Sequence, residues 1–220
     1  MMRNLKIIKS TEANSWYKRN LNNCNSQIYD NRIIDLIKIN KLKPKNVLEI
    51  GCADGKKLNQ YQQSLNSKTC YGIDLASIAI KNGKKKYKKL KLLKLSSLEI
   101  NKIKTKFDLI ICGFFLYLLD REEIFNQFNL IYKQLNNNGY LIIEDFDPLF
   151  KHTNYSIHNK RLKSFKMSCD NFLEESGLFK LVYKISKTTG SSDKRKFKSS
   201  DVSLAMFKKI DFKKSYPENQ

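Results

Sequence analysis

Apolar residues along this chain fall into two alternating patterns. Short, nearly unbroken runs recur at 46–50, 70–73, 90–95, 107–112 and 140–144, the fourth reading Phe107-Asp108-Leu109-Ile110-Ile111-Cys112. Between them, apolar side chains return every three or four residues, as at Ile124, Phe128, Ile131 and Leu135. The first pattern predicts strands buried on both faces and the second predicts amphipathic helices. Helices are therefore expected at 26–39 (ended by Pro44), 56–64, 77–87 and 121–136, with a turn at Asn136-Asn137-Asn138-Gly139. Apolar strands alternating with helices imply an α/β fold with a parallel sheet covered on both faces. The right-handed crossover rule makes that sheet doubly wound.

The pattern changes at both ends. Residues 1–25 are polar and read as an irregular cap segment in front of a single domain at 26–210, with a tail at 211–220. Residues 149–167 are polar, basic and aromatic, and read as a loop or lid on the acceptor side. A short helix is expected at 169–176. Strands at 178–186 and 202–208 then close a mostly parallel seven-stranded sheet with a C-terminal antiparallel hairpin, whose connection at 187–200 is expected to be mobile.

Composition changes this picture little. The formal net charge of +21 invites a polyanionic partner. Yet lysine outnumbers arginine roughly six to one and asparagine is about a tenth of the chain, a bias that an AT-rich genome produces whatever the function. RNA-reading surfaces favour arginine, so nucleic acid is not expected as the substrate. The five cysteines, Cys24, Cys52, Cys70, Cys112 and Cys169, show no C-x-x-C spacing, and there are only two histidines, so no metal site is expected. No signal peptide or membrane span is predicted, and a reducing, cytoplasmic setting fits.

The segment that carries chemistry is Val47-Leu48-Glu49-Ile50-Gly51-Cys52-Ala53-Asp54-Gly55. A buried strand ends, a carboxylate lies near its end, and a glycine-rich turn opens a helix. Ligands of doubly wound sheets bind beyond such carboxyl ends. A dinucleotide loop wants G-x-G-x-x-G, but its third glycine would fall on Lys56. Asp74 closes the next strand, in Tyr71-Gly72-Ile73-Asp74, where a carboxylate can accept from both hydroxyls of a ribose.

On these residues the chain resembles the class I, seven-strand S-adenosylmethionine-dependent methyltransferases of small-molecule type, whose loop reads E/D-x-G-x-G-x-G. The resemblance spans roughly 16–148 and includes Phe107-Asp108-Leu109-Ile110 and Asn138-Gly139-Tyr140-Leu141-Ile142-Ile143. It implies S-adenosylmethionine as cofactor, with Glu49, Gly51, Cys52, Ala53 and Gly55 shaping the loop. Asp74 would hold the ribose beside Leu75, and Ser97 and Leu98 would flank the adenine. Cys112, Gly113 and Phe114 would lie under the methionine end, and Arg19 would pair with the cofactor carboxylate. The elements Trp16-Tyr17-Lys18-Arg19-Asn20 and Lys43-Pro44-Lys45-Asn46 also resemble a poorly characterised bacterial subgroup often found with surface-polysaccharide genes. Where that subgroup has a His-Trp pair and a Y-K-x-D-Y loop, this chain has Tyr117-Leu118 and Phe165-Lys166-Met167-Ser168-Cys169.

The expected activity is in-line methyl transfer to a hydroxyl or amine of a small polar acceptor, such as a sugar or nucleotide-sugar. Asp145, His158 and Tyr117 are the candidate catalytic groups on the acceptor side. Two other readings are an RNA methyltransferase using the basic surface and a non-catalytic binding protein on the same fold. Oligomeric state is not legible in the sequence.

Overall fold

In the computed structural model, which describes residues 3–21, 31–187 and 201–216, the buried apolar runs are strands. They are β1 (Asn46–Ile50), β2 (Thr69–Asp74), β3 (Lys91–Lys94), β4 (Phe107–Gly113) and β5 (Leu135–Phe146). Two short strands, β6 (His152–Tyr155) and β7 (Lys163–Lys166), precede the closing pair β8 (Phe179–Lys187) and β9 (Val202–Lys209). The main sheet has seven strands in the order β3-β2-β1-β4-β5-β9-β8. Its first five strands pair in parallel, β9 runs antiparallel to β5, and β8 runs antiparallel to β9.

The strand period of two divides the core into layers. Leu48, Ile110, Leu141 and Phe207 point to one side and pack with Phe128 and Ile131 of α6 (Ile124–Gln134). Val47, Leu109, Ile142 and Met206 point to the other side. There they meet α3 (Arg32–Ile39) and α4 (Lys56–Leu65) through Ile33, Ile37, Leu58 and Tyr61. Helix α5 (Ser77–Lys86) follows β2, α7 (Asp170–Glu175) precedes β8, and α8 (Phe212–Ser215) follows β9. No helix among the described residues is long and apolar enough to cross a membrane.

Three expectations change. The N-terminal segment is helical, not irregular: α1 (Arg3–Ile7) and α2 (Ala13–Arg19) are joined by a π-helical turn, Ile8–Glu12. The carboxylate of Asp120 accepts from the backbone N–H of Asn4 and Leu5, at 3.2 and 3.3 Å, so the cap comes from a residue over a hundred positions away. Residues 149–167 form an antiparallel ribbon, β6–β7, held by four cross-strand pairs that are too short and polar to betray a strand pattern. Finally, β5 starts at Leu135, because Phe107 pairs with Leu135 across an irregularity before the regular register resumes at Tyr140. The expected starting residues of helix 26–39 at 26–30, Cys24, and most of the connection 187–200 lie outside the described residues.

Candidate active site

After Ile50 the chain turns through Gly51 and Gly55, both left-handed at φ +78° and +80°, into α4. Ala53 lies between them at φ +49°, a region that a side chain with Cβ rarely occupies. Its backbone N–H donates to Asp74 Oδ2 at 2.9 Å, while Asp74 Oδ1 accepts from the N–H of Ala76 at 2.7 Å. Asp74 thus ties the loop after β1 to the end of β2, and each oxygen keeps a lone pair for a further donor. Helix α5 presses on the same loop. A Cβ added at Gly83 would lie 2.1 Å from the carbonyl oxygen of Asp54.

Three carboxylates crowd this turn. Glu49 is buried, its Oε2 has no protein partner, and burial pushes its carboxyl up to about 8, with Asp74 and Asp54 adding to the rise and Lys57 opposing it. Asp74 is also raised by burial, against the pull of backbone amides. Buried Asp54 accepts from the N–H of Lys56 at 3.2 Å and from the hydroxyl of Tyr17 at 3.4 Å. The first turn of α4 is therefore capped by its own aspartate and lined by carboxyl groups, Glu49 among them protonated near neutral pH, a lining that a cation would ionise and a pyrophosphate would not suit. Burial pushes the thiols of Cys52 and Cys112 well up, which keeps both neutral as packing groups.

Leu75, Ser97 and Leu98 remain partly exposed at the carboxyl ends of β2 and β3. Ser96 caps the 3₁₀ turn Ser97–Lys102 by accepting from the N–H of Leu98, and fully buried Gln127 donates to the carbonyl of Ser97 at 3.3 Å. At the end of β4, Cys112 lies in the core, and a Cβ at Gly113 would meet no atom within 4 Å. That open space at the β1/β4 switch point can take a ligand. Phe114 follows at φ +50°, exposed, with its N–H donating to the carbonyl of Glu144. Glu144 is buried and ion-paired with Arg32 at 2.5 Å and with Lys57 at 3.7 Å. Two shallow depressions, one beside Pro44 and Asp108 and one beside Lys180 and Asp211, lie at the opposite end of the sheet, away from these groups.

A family model described as a methyltransferase domain matches residues 41–200. The chain belongs to that methyltransferase family. An uncharacterised protein of Rickettsia prowazekii is 30% identical over 107 residues, and the match covers 46% of this chain and 43% of that protein's length. Among solved structures, the chain resembles the 1,6-didemethyltoxoflavin-N1-methyltransferase of Burkholderia thailandensis, with a TM-score of 0.71 and 12% identity over 94% of this chain and 89% of that one. It also resembles N-methyltransferase NodS of Bradyrhizobium japonicum, with a TM-score of 0.59 and 19% identity over 82% and 86%. Both of those structures hold S-adenosylhomocysteine. At such identities the likeness is one of fold.

At the carboxyl ends of β4 and β5, two of the three sequence candidates come together. Asp145 is buried and accepts from the N–H of Leu116 at 2.9 Å, of Tyr117 at 3.4 Å and of Phe146 at 2.7 Å, so it brackets the turn after β4. Burial pushes its carboxyl up to about 6 against these amides and Arg121. Tyr117 packs edge to face on Phe146, and burial with nearby Asp145 and Glu12 pushes its hydroxyl up to about 12. His158 lies apart, exposed in the turn of the β6–β7 ribbon.

Arg19 pairs with Glu12, and Glu12 also accepts from the side-chain amide of Asn159 in the ribbon turn, at 3.3 Å. Buried Asn4 donates to the carbonyls of Leu118 and Lys163, at 2.9 and 2.7 Å, and accepts from the N–H of Lys163. The N-terminal helices and the ribbon are thereby one cap over the ligand edge, with Tyr17 seated on Asp54. Sequence reasoning missed Glu12, Gly83, Gln127 and Glu144. Only Glu144, a charge at the end of an apolar strand, carried a visible signal.

Proposed function

We propose that this chain transfers a methyl group from S-adenosylmethionine to an O–H or N–H of a small polar acceptor. The observation that carries the reading is the turn at 51–55: its helix start is capped by Asp54 and faced by Glu49 and Asp74, a setting for a sulfonium and an ammonium. The open space at Gly113 and the unpaired Oε2 of Glu49 fit such a cofactor. When bound, the cofactor supplies a methyl group already activated on a positive sulfur.

The chain's own residues hold and align. In this reading Asp74 accepts from the ribose hydroxyls, and Leu75, Ser97 and Leu98 flank the adenine. Gly51, Ala53, Gly55, Gly113 and Phe114 form the floor, with Cys52 and Cys112 packed beneath. Arg19 takes the cofactor carboxylate by exchanging Glu12 for it. Asp145 sets the position of Tyr117, which faces the acceptor. Family membership supports the reaction class. The two fold neighbours are N-methyltransferases, which keeps nitrogen in view as the methylated atom.

The test is calorimetry with S-adenosylhomocysteine and with NAD, followed by methyl-donor turnover on nucleotide-sugars, glycans, flat-ring hydroxyl compounds and RNA side by side. Micromolar S-adenosylhomocysteine binding without NAD binding, and turnover on a small acceptor, is expected. NAD binding alone would overturn the cofactor reading, and selective labelling of RNA would overturn the acceptor reading.

A further inference from the structure

The β6–β7 ribbon carries a surface that the reading above leaves unused. The ribbon is fixed to the rest of the chain mainly through β7. Lys163 exchanges hydrogen bonds with Asn4, and the guanidinium of Arg121 lies 5.2 Å from the centre of the Phe165 ring. The ammonium of Lys166 lies 3.9 Å from the centre of the Phe146 ring, and Asn159 in the turn donates to Glu12. Strand β6 is the outer one: its Thr153, Asn154 and Tyr155 are exposed. From Leu149 through Arg161 no residue is buried.

Four large apolar side chains stand in water on this stretch. Leu149 and Ile157 are each 82% exposed, Phe150 is 68% exposed and Tyr155 is 60% exposed. Scattered single apolar residues on a surface are ordinary, but a group of them so close in the chain marks a contact surface. The four-residue strand between the two pairs spans only about 13 Å, at about 3.3 Å per residue, so one flat surface can meet both. Charge accompanies them. Between Asp147 and Asp170 the chain has five lysines and arginines and no acid. Lys151 follows the first apolar pair, and Lys160 and Arg161 follow the second, all three exposed. The ammonium of Lys163 lies 5.4 Å from the centre of the Tyr155 ring. The net charge of the whole chain does not single out this ribbon; the apolar tips among its cations do.

We propose that the β6–β7 ribbon docks this chain on the surface of an anionic lipid bilayer. Leu149, Phe150 and Ile157 enter the headgroup layer, and Lys151, Lys160 and Arg161 meet the lipid phosphates. Tyr155, with an apolar body and a polar tip, suits the boundary between them. The proposal stands independently of the methyl-transfer reading. RNA fits the ribbon less well, because a nucleic-acid groove uses cations and flat rings and offers no place to two aliphatic side chains. A second copy of the chain fits less well too, because two ribbons with five cations each and no acid repel one another. Since Asn4 and Asn159 tie the ribbon to the N-terminal helices, docking brings that cap to the lipid.

The test is co-sedimentation of the whole chain with vesicles of phosphatidylcholine, alone or with about 30% phosphatidylserine, at about 150 mM salt, where long-range attraction is screened. Binding is expected on the anionic vesicles and not on the neutral ones. Leu149→Ser combined with Ile157→Ser keeps every charge and should lower the partition coefficient by about tenfold or more. Lys84→Glu combined with Lys85→Glu, on α5, changes the net charge more and should lower it by no more than about threefold. Because Leu149 and Ile157 are exposed, the thermal midpoint of the first pair should stay within about 2 °C of the unaltered chain. A second measurement adds an apolar side chain instead of removing one. Phe150→Trp in a Trp16→Phe chain has a single tryptophan, at the ribbon, and its emission should be quenched by phosphatidylserine vesicles with brominated acyl chains. Sedimentation velocity and RNA filter binding on the same variants complete the set. Undiminished vesicle binding by the Leu149→Ser, Ile157→Ser chain would reduce the attraction to charge alone and overturn the proposal. An unquenched tryptophan overturns it as well, and so does a loss of self-association or of RNA binding in that chain in place of vesicle binding.

Discussion

Ala53 and Glu49 show how far single residues in the loop depart from ordinary settings, and each yields a measurable consequence. Ala53 is held at φ +49°, where its Cβ costs roughly 1 kcal/mol relative to glycine. Ala53→Gly should therefore stabilise the fold by up to about 1 kcal/mol, read as a higher midpoint of urea unfolding, with cofactor affinity retained because the N–H to Asp74 survives. Glu49 titrates near 8 in the folded chain, against 4.5 for an ordinary glutamate, because it is buried. The unfolded chain gives up that proton first, so this group's contribution to stability is fully present below 4.5 and is lost as pH rises towards 8. A bound sulfonium or ammonium reverses the preference by favouring the carboxylate. S-adenosylmethionine binding near neutral pH should release a proton, and affinity should strengthen as pH rises through about 8. Calorimetry in buffers of different ionisation heat counts that proton, and Glu49→Gln should abolish it.

Helices and ribbons fix where those residues stand. Gly83 lets α5 lie directly on the backbone of Asp54, so Gly83→Ala must push helix and loop apart. Because the obstacle is backbone rather than a flexible side chain, the cost should reach about 3 kcal/mol, the upper end for overpacking. Thermal unfolding should show the loss, and calorimetry a matching fall in S-adenosylmethionine affinity. The cap behaves differently. Asn4 joins α1, the turn after β4 and the β6–β7 ribbon through one amide group. Asn4→Ala should speed backbone hydrogen exchange across 152–166 while the exchange of β1 and β4 stays slow. Equal acceleration in both regions would mean that the cap is not a separate unit. The shared contacts also mean that removing 149–167 should weaken cofactor binding as well as turnover, through Glu12 and the α2 residue Tyr17.

For the molecule as a whole, the excess of 42 lysines and arginines over 21 acids is a surface property rather than a site. Its lysines are spread over exposed helix faces, such as Lys84 and Lys85 on α5. Such a surface should hold RNA loosely through counterion release. Filter binding should show that association collapsing between about 50 and 200 mM salt, without methyl transfer. Binding that survives the higher salt and labels a defined nucleotide would instead make RNA the substrate.

Much of this protein was legible in one dimension because some signals are local. Strands β1 to β4 and helices α4 and α5 could be placed from apolar spacing, since burial on both faces demands unbroken runs and burial on one face demands a stripe. The turn at Glu49, Gly51, Ala53 and Gly55, with Asp74 closing the next strand, could be read because backbone conformation and strand-end chemistry are written in adjacent residues. The cap could not. Asn4 finds Lys163, Glu12 finds Asn159, and Asp120 caps α1 across more than a hundred positions. Those bonds form only after the sheet has brought the chain's ends together, and no spacing rule encodes a partner that far away. Nor could sequence separate its candidate groups: it brought forward Asp145, Tyr117 and His158 alike, and only the folding of the ribbon left His158 exposed in its turn while Asp145 came to the backbone of Tyr117.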